Sequence, residues 1–495
     1  MFRRSGQAAA LAIAVGCSTG CAQDAGAAPR VSPSVRELRG AWVATVDNID
    51  WPSRPGLSVG KQREELDAIL DAAASMRLNA LFFQVRPACD ALYKSELEPW
   101  SEWLTGAQGK APAERWDPLE HAVEGAHERG LELHAWINPF RARHRAATSP
   151  IVDRHKAKAW MVKYGEELWL DPSQQGARDH TLAVVVDIVR RYDVDGIHMD
   201  DYFYPYPVKG QSFPDDASYA DYVRAGGKLD RADWRRMNVD AMVEALHRGI
   251  KQHKPKVRFG ISPFGIVRPG IPAGIEAGVD QYRDLYADVA HWVAQRWCDY
   301  VAPQLYWPVA QQKQSYATLL EWWGKTVPER MHLVVGNYTT RAARAEKGWS
   351  LDELVDQIER TRAVPRAVGN LHFSMKVLRD DIGGVRTRLR AKTYELPALP
   401  PAWPWLDAEP PKAPQIRVAH ADGDVEVRWT ADPEARLRAL YLACGDRWLL
   451  IEVVSGRKPG ILVTAEQIKK LAVRGLAVSS VDECGNESER VVKMF

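Results

Sequence analysis

The sequence has few metal-binding residues and none of the spacings by which they usually hold a metal ion. Its 495 residues include only six cysteines, which form no CxxC pair, and HExxH and histidine-rich stretches are missing as well. We therefore expect no structural or catalytic zinc and no cofactor. Cys89 and Cys298 adjoin apolar runs and are expected to be buried free thiols, whereas Cys444 and Cys484 could pair in an oxidising compartment.

An excess of charge of either sign is missing too. Lys and Arg number 66 against 64 Asp and Glu, which gives a formal net charge of +2. This balance does not favour a nucleic-acid partner. Tryptophan is abundant by contrast, with 19 residues. Indole rings stack on the apolar faces of sugars, so this content is compatible with a carbohydrate site, although ordinary core positions account for most of it.

The apolar stretch at the start of the chain is short. It runs from Ala8 to Val15, follows two arginines and ends at Gly16-Cys17. A stretch of this length is typical of a secretory signal and too short for a mature membrane span. Residues 1–30 are therefore predicted to be a lipoprotein signal peptide and tether. The motif AVGC resembles a lipobox, with Cys17 as the lipidated residue and Cys21 as the alternative; simple cleavage and release is the other possibility.

Runs of apolar, β-branched and aromatic residues recur along the chain, with helical patterns between them. One such helix is marked by Asp117 as N-cap, Pro118 in its first turn and Gly130 at its end. The runs number eight and lie at residues 38–46, 78–87, 131–140, 194–203, 257–266, 298–307, 331–338 and 369–377. Eight strand-then-helix units predict an α/β fold, a (β/α)8 TIM barrel over residues 31–394. A doubly wound sheet would need a glycine-rich turn after the first strand, and TVDNIDWPSRPG lacks one.

The end of the chain has a different pattern. Residues 395–414 are rich in proline and are predicted to form a semi-rigid linker. Residues 415–495 alternate with period 2 between turn residues, which predicts a small all-β sandwich resembling fibronectin type III-like modules. Such modules usually bind or space other domains, so cell-wall or division proteins are the expected partners of this one.

Catalytic groups of a TIM barrel lie at the carboxyl ends of its strands. Acids are scarce at the predicted strand ends, and the fourth strand alone carries an adjacent pair, in DGIHMDDYFYP. If Ile197 and Met199 face the helices, His198 and Asp200 point into the barrel. The catalytic candidates are Asp200, Asp201 and Asp90, followed by the loop acids Asp47, Asp50, Glu96 and Glu98. The alternative role for the aspartate pair is capping of the loop or pairing with Arg86.

The remaining strand ends are rich in amide and aromatic side chains, which suits neutral, hydroxylated or N-acetylated ligands. Arg86 has a structural salt bridge as its alternative role, the amides could satisfy backbone groups, and the aromatic rings could simply fill the barrel mouth. The predicted substrate-binding residues are Trp42, Arg86, Trp136, Asn138, His198, Tyr202, Tyr204, Gln304, Tyr306 and Trp307.

Six ordered motifs carry a family resemblance. They are RGAWVATVDNIDWPS, FFQVRPACDALY, PWSEWLTG, LHAWINPFR, DGIHMDDYFYP and ISPFGI. Together they resemble the bacterial glycosyl-hydrolase-like family ten over about residues 36 to 390. The resemblance implies an envelope lipoprotein on the periplasmic face of the outer membrane that acts on peptidoglycan glycan strands. The resemblance implies either a hydrolase, with peptide-free strands as one expected substrate, or a lytic transglycosylase.

Two motif departures qualify the role of Asp200. The α-amylase-type motif Gly-x-Arg-x-Asp places a nucleophile at Asp200, but His198 stands where that motif has arginine. The chitinase motif has its acid/base glutamate where this chain has Tyr202, so a direct chitinase assignment fails. A catalytically degenerate, glycan-binding scaffold and an α-glucan hydrolase remain as alternatives.

Overall fold

The computed structural model describes residues 36–495, so the predicted leader with Cys17 and Cys21 lies outside the described residues. Eight parallel strands close into a barrel in the order β1-β8-β7-β6-β5-β4-β3-β2. Seven strands lie within one predicted run each, and the last begins two residues before the run at 369–377 and overlaps it, which confirms the predicted TIM barrel. The strands are β1 Leu38–Val43, β2 Ala80–Arg86, β3 Glu132–Ile137, β4 Gly196–Met199, β5 Arg258–Ile261, β6 Tyr300–Val301, β7 His332–Asn337 and β8 Ala367–His372.

One principal helix follows each barrel strand. The helix caps predicted for α2 are present, because the Asp117 carboxylate accepts the backbone N–H groups of Leu119 and Glu120 at 3.1 and 3.3 Å. The helices are α1 Val59–Ser75, α2 Pro118–Glu128, α3 Gln175–Arg191, α4 Arg231–His253, α5 Val289–Gln295, α6 Tyr316–Thr326, α7 Leu351–Arg362 and α8 Val385–Lys392. Additional helices lie in the connections: Glu102–Thr105, Asp216–Arg224, Gln281–Asp284, Thr339–Ala343 and Met375–Arg379.

The strands are buried on both faces, which is why the runs are continuously apolar. Ile197 and Met199 belong to the large cluster between strands and helices, as the alternation on β4 predicts. Trp42, Phe82 and Tyr300 belong to a second cluster that fills the barrel interior. The odd and even residues of each strand therefore serve two separate cores.

The returns after β3 and β4 are long insertions. The first contains a small antiparallel sheet, and the second contains the helix Asp216–Arg224. The two insertions contact each other, since the Tyr164 hydroxyl accepts the Val208 N–H at 2.9 Å. They stand at the carboxyl end of the barrel and wall one side of its mouth. The strands of the small sheet are Arg141–Arg143, Met161–Tyr164 and Glu167–Leu170.

The C-terminal region is a sandwich of two antiparallel sheets that share one apolar core. One sheet has the order β9-β10-β13 and the other β12-β11-β14-β15. A helix, α9 Ala465–Leu471, joins the two sheets. The strands are β9 Ile416–Ala421, β10 Asp424–Trp429, β11 Leu437–Cys444, β12 Arg447–Ser455, β13 Gly460–Val463, β14 Val473–Val481 and β15 Val491–Met494.

The proline-rich segment and the sandwich pack against the amino-terminal end of the barrel. Trp403 is fully buried there, with its ring 5.9 Å from that of Tyr300. Arg436 of the sandwich pairs with Asp193 at 3.0 Å and with Asp195 at 3.4 Å. These contacts leave the carboxyl end of the barrel open for a ligand.

The four cysteines that the structure describes are free thiols. The suggested pairing of Cys444 with Cys484 is therefore not formed, and Cys484 is buried while Cys444 is partly exposed. No helix in residues 36–495 is long and apolar enough to cross a membrane. Within the same residues, no cluster of three or more His, Cys, Asp or Glu side chains is placed to hold a metal ion.

Candidate active site

A pocket of about 350 Å³ opens at the carboxyl ends of the barrel strands. This is the end at which TIM barrels place their catalytic groups. Side chains from the strand ends and from the loops after β1, β3 and β4 line it. They are Trp42, Ala44, Val46, Asp47, Ile49, Gln84, Trp136, Arg141, His144, Arg145, Asp200, Asp201, Tyr202, Tyr206, Ser262, Gln304, Tyr306 and Phe373.

Asp200 lies at the centre of the pocket floor, directly after β4. Its carboxylate accepts the Trp136 indole N–H at 3.2 Å and the Asn138 side-chain amide at 3.2 Å. Both donors come from β3 and its end, beside β4 in the barrel. The carboxylate is thus fixed from one side, and it is only 4% exposed.

Asp201 is held by a different set of donors. The Tyr206 hydroxyl donates to one carboxylate oxygen at 3.0 Å, and the Gln304 side-chain amide donates to the other at 3.2 Å. The chain leaves regular strand geometry after Met199, so both adjacent aspartates reach the same pocket instead of pointing to opposite faces. Two neighbouring carboxyl groups in one buried site repel each other when both are ionised.

The two carboxyl groups share a raised affinity for protons. Burial, and next to it the negative charge of Asp201, raises the pKa of Asp200 to about 7. Burial raises the pKa of Asp201 as well, against the hydrogen bonds from Tyr206 and Gln304, which lower it. With a pKa of about 7, Asp200 is well suited to carry a proton near neutral pH.

His198, predicted to bind substrate, is instead part of a buried hydrogen-bonded chain along the barrel interior. Trp42 Nε1 lies 3.0 Å from His198 Nε2, and His198 Nδ1 lies 3.0 Å from the Tyr300 hydroxyl. The same hydroxyl lies 3.0 Å from His134 Nδ1, and His134 Nε2 lies 3.4 Å from Glu132. Indole N–H is only a donor, so His198 accepts at Nε2 and is neutral; burial indeed lowers its pKa.

Two glycines make this chain possible. A Cβ at Gly260 would lie 1.9 Å from the Tyr300 ring, and a Cβ at Gly196 would lie 2.3 Å from the His134 ring. Any larger residue would push these rings out of line. His198 has both ring nitrogens occupied and is fully buried, so it orients the Trp42 indole at the pocket and does not touch a ligand.

Arg86 does not reach the pocket either. Its side chain is fully enclosed and forms a two-pronged ion pair with Glu98, at 2.8 and 2.6 Å. A further guanidinium N–H donates to the Asn138 carbonyl. Burial would raise the pKa of Glu98, but the Arg86 charge and the hydrogen bonds from His180 and Arg86 lower it to about 2. The structural salt bridge, and not a substrate contact, is thus what Arg86 makes.

Four other predicted residues lie outside the pocket lining. Asn138 is buried and contacts Asp200, so it positions the carboxylate. Tyr204 is buried with its ring against Phe213 and Tyr286. Asp90 is buried within the loop after β2. Trp307 packs against the core between strands and helices.

The loop acids have separate places. Asp47 is exposed and lines the pocket. Asp50 is buried and accepts hydrogen bonds from the Ala44 N–H, the Ser374 hydroxyl and the Lys376 N–H, so it ties the loop after β1 to the end of β8. The remaining two are Glu98, paired with Arg86, and Glu96, which is exposed.

Several lining residues were not among the predicted ligand contacts. Gln84 Nε2 and Ser262 Oγ are buried and have no hydrogen-bond partner in residues 36–495. Unsatisfied buried donors in a pocket are available to a polar ligand. Both lie at ends of predicted strands, so their position was foreseeable. Phe373 directly follows β8, and Arg141 begins a short strand of the first insertion. The irregular loops, which have no periodicity in the sequence, contribute His144, Arg145 and Tyr206.

Comparison with known proteins agrees with this geometry. Residues 37–350 match the family described as glycosyl hydrolase-like 10. The glycosyl hydrolase YngK of Bacillus subtilis is 42% identical over 395 residues, which cover 77% of each chain. The glycosyl hydrolase DigH of Escherichia coli K12 is 33% identical over 370 residues, covering 69% of this chain and 83% of DigH.

Among solved structures, the glycoside hydrolase domain of PgaB (BpsB) from Bordetella bronchiseptica is similar in fold. It superimposes with a TM-score of 0.50 at 13% sequence identity, and the match covers 72% of this chain and 99% of that domain. At this identity the likeness concerns the barrel fold alone.

Proposed function

The chain belongs to the glycosyl hydrolase-like 10 family, and from that premise we propose that it is a glycosidase that cleaves the glycan strands of peptidoglycan. The observation that carries the proposal is the pair Asp200 and Asp201, side by side in a pocket lined with aromatic rings. Glycoside hydrolysis generally uses two carboxyl groups. A protein that only bound glycan would not need two buried acids with raised pKa values.

We assign different roles to the two acids. Asp200, whose pKa burial raises, gives its proton to the glycosidic oxygen as the bond to the leaving sugar breaks. Asp201, whose carboxylate accepts hydrogen bonds from Tyr206 and Gln304, stabilises the positive charge that develops at the anomeric carbon. Water then adds to that carbon and gives its proton to the carboxylate pair, which again shares one proton as before the reaction.

The pocket walls support a neutral sugar substrate. Trp42, Trp136 and Tyr306 offer aromatic surface to the C–H faces of a sugar ring. The free donors of Gln84 and Ser262 are available to hydroxyl or acetamide groups. An N-acetylated β-1,4 glycan has both features.

The proposal includes a location in the cell envelope. The basic start, short apolar core and Gly16-Cys17 of the sequence support secretion and lipid attachment at Cys17, or at Cys21. An enzyme anchored in this way on the periplasmic face of the outer membrane would face the peptidoglycan layer.

Digestion of purified glycan strands tests this function. Strands with and without stem peptides, and an α-glucan as control, are incubated with the full chain, and new ends are identified by mass spectrometry. We expect new reducing ends from the peptidoglycan strands and none from the α-glucan. Products with 1,6-anhydro ends would show a lytic transglycosylase. Cleavage of the α-glucan alone would show an α-glucan hydrolase, and binding of the strands without cleavage would show a binding scaffold.

The pH dependence of cleavage is expected to report both carboxyl groups. The rate should fall as the pH rises through about 7, where Asp200 loses its proton, and fall again at low pH, where Asp201 gains one.

Tyr206→Phe removes a donor to the Asp201 carboxylate, which raises the pKa of Asp201. The acidic limb of kcat/KM should therefore move up by about half to one pH unit, measured from about pH 4 to about pH 9. If the acidic limb does not move, a group other than Asp201 causes the fall in rate at low pH.

A further inference from the structure

A second cavity adjoins the acid-pair pocket. It also has a volume of about 350 Å³ and is called the side cleft here; its walls include Asp47, Arg54, Glu102, Trp103, Ala146 and Thr148. Each cavity alone is near the lower end of the range for small-molecule sites, about 300–1,000 Å³. The two together match a chain of linked sugars better than a single sugar.

The two cavities are continuous along one wall. Asp47 lines both of them. Arg145 lines the acid-pair pocket, and the next residue, Ala146, lines the side cleft. The ring of His144 in the first cavity contacts the ring of Trp103 in the second, with centroids 6.2 Å apart. The side cleft therefore adjoins the acid-pair pocket along this wall.

The loop after β1, which carries Asp47, forms a tight turn between the two cavities. Asp47 and Asn48 adopt left-handed backbone conformations, with φ of 53° and 49°. The Asn48 side-chain amide donates to the carbonyls of Pro52 and Trp103, both at 2.9 Å. Asparagine and aspartate tolerate this conformation better than most residues. The turn and its two hydrogen bonds fix the position of the Asp47 loop, which borders both cavities.

The far wall is also fixed in advance. One oxygen of the Glu102 carboxylate accepts the Thr148 N–H at 2.8 Å, the Thr148 hydroxyl at 3.1 Å and the Ser149 N–H at 2.9 Å. These bonds tie the helix Glu102–Thr105 to the loop after β3. A site whose walls are already in place loses little conformational entropy on binding.

The chemistry of the side cleft suits a neutral, hydroxylated ligand. Within residues 36–495, the exposed side chains of Asp47 and Arg54 take part in no hydrogen bond or ion pair. One acceptor and one donor of opposite charge can both bind hydroxyl groups, whereas a strongly charged ligand would meet one repulsive group. Trp103 adds an aromatic edge.

We propose that the side cleft is a subsite for sugars of the same glycan strand beyond the cleaved bond. This inference rests on the proposed function, because it takes the strand over the acid pair as its starting point. It commits the substrate to a chain longer than the acid-pair pocket can hold.

The test compares substrate lengths and a variant that fills the side cleft. Peptide-free glycan fragments of increasing length, from the disaccharide upwards, are cleaved by the full chain and by Ala146→Trp. Ala146 is exposed, so the larger ring is accommodated without repacking. We expect kcat/KM of the wild type to rise with length. Ala146→Trp should lower it for long fragments on the order of tenfold, or about 1.4 kcal/mol, mainly through KM, and leave the shortest cleaved fragment unaffected.

A matched control and a binding measurement make each outcome decisive. Ala220→Trp places the same side chain at an exposed position that lines neither cavity, and it should cleave all lengths as the wild type does. Equal rates at all lengths, or an equal loss at all lengths in Ala146→Trp, would overturn the subsite.

Binding of the same fragments to Asp200→Asn is measured in parallel. If nothing is cleaved but affinity still rises with length and falls in Ala146→Trp, the proposed function fails and the subsite stands; if neither is seen, both fail.

Discussion

Asparagine in place of Asp200 is expected to lower kcat/KM on glycan strands by about 10²–10⁴-fold, the usual contribution of a general acid or base. Asparagine keeps the size of the side chain, and its oxygen in the place of Oδ2 still accepts from Trp136 at 3.2 Å and from Asn138 at 3.5 Å. It cannot give a proton to the leaving oxygen. Folding should be unimpaired, because the substitution also removes the repulsion from Asp201.

Asp90→Asn is the matched control for this variant. Asp90 is equally buried, and burial likewise raises its pKa to about 7, but it lies outside the pocket lining. Its replacement should leave kcat/KM within about threefold of the wild type, as expected for a residue that does not touch the reacting atoms. Thermal unfolding of both variants shows that the comparison is made on folded protein. A loss in Asp90→Asn equal to that in Asp200→Asn, or no loss in Asp200→Asn, would contradict the assignment.

The barrel was predictable because its signals are local and repeated. Each strand is a continuous apolar run. The start of α2 has the expected cap, with Pro118 in the first turn and hydrogen bonds to the Asp117 carboxylate. Asp200 was predictable for a similar reason, since period 2 along β4 places Ile197 and Met199 outside and the next even position inside. These inferences need only the geometry of one strand and the closure of the barrel.

The rest of the site was less predictable because the chain leaves regular geometry after Met199. Among the three tyrosines that follow, Tyr202 and Tyr206 line the pocket while Tyr204 packs against Phe213 in the core. No period distinguishes them in the sequence. His198 was correctly placed inside the barrel, but its two ring partners come from β1 and β6 and could not be paired from spacing.

Arg86 shows the same limit for charged residues. Its position at the end of β2 fitted a substrate contact and a structural salt bridge equally well. Its partner, Glu98, lies twelve residues later in an irregular loop, where no spacing rule applies. Only the three-dimensional structure shows that the loop returns over the strand end and encloses the guanidinium.

That enclosure gives the second large expected effect, on stability. Glu98→Gln leaves the buried guanidinium of Arg86 without its counter-charge and should lower the free energy of unfolding by about 3–5 kcal/mol. Both side chains are fully buried, and the guanidinium also holds the Asn138 carbonyl. Denaturant unfolding followed by tryptophan fluorescence measures the loss. Activity measured well below the unfolding transition should fall far less than in Asp200→Asn, because no group that touches the substrate is removed.

Two comparisons separate the buried pair from a general effect of losing an acid. Glu321→Gln removes the partner of Lys325 in an exposed pair on α6, and it should unfold at the same denaturant concentration as the wild type, since water screens such pairs. The double variant Arg86→Met, Glu98→Leu removes both charges and should be more stable than Glu98→Gln, because no unpaired charge stays buried. If Glu98→Gln unfolds like Glu321→Gln, the ion pair does not hold the loop after β2, and the position of Asn138 against Asp200 depends on β3 alone.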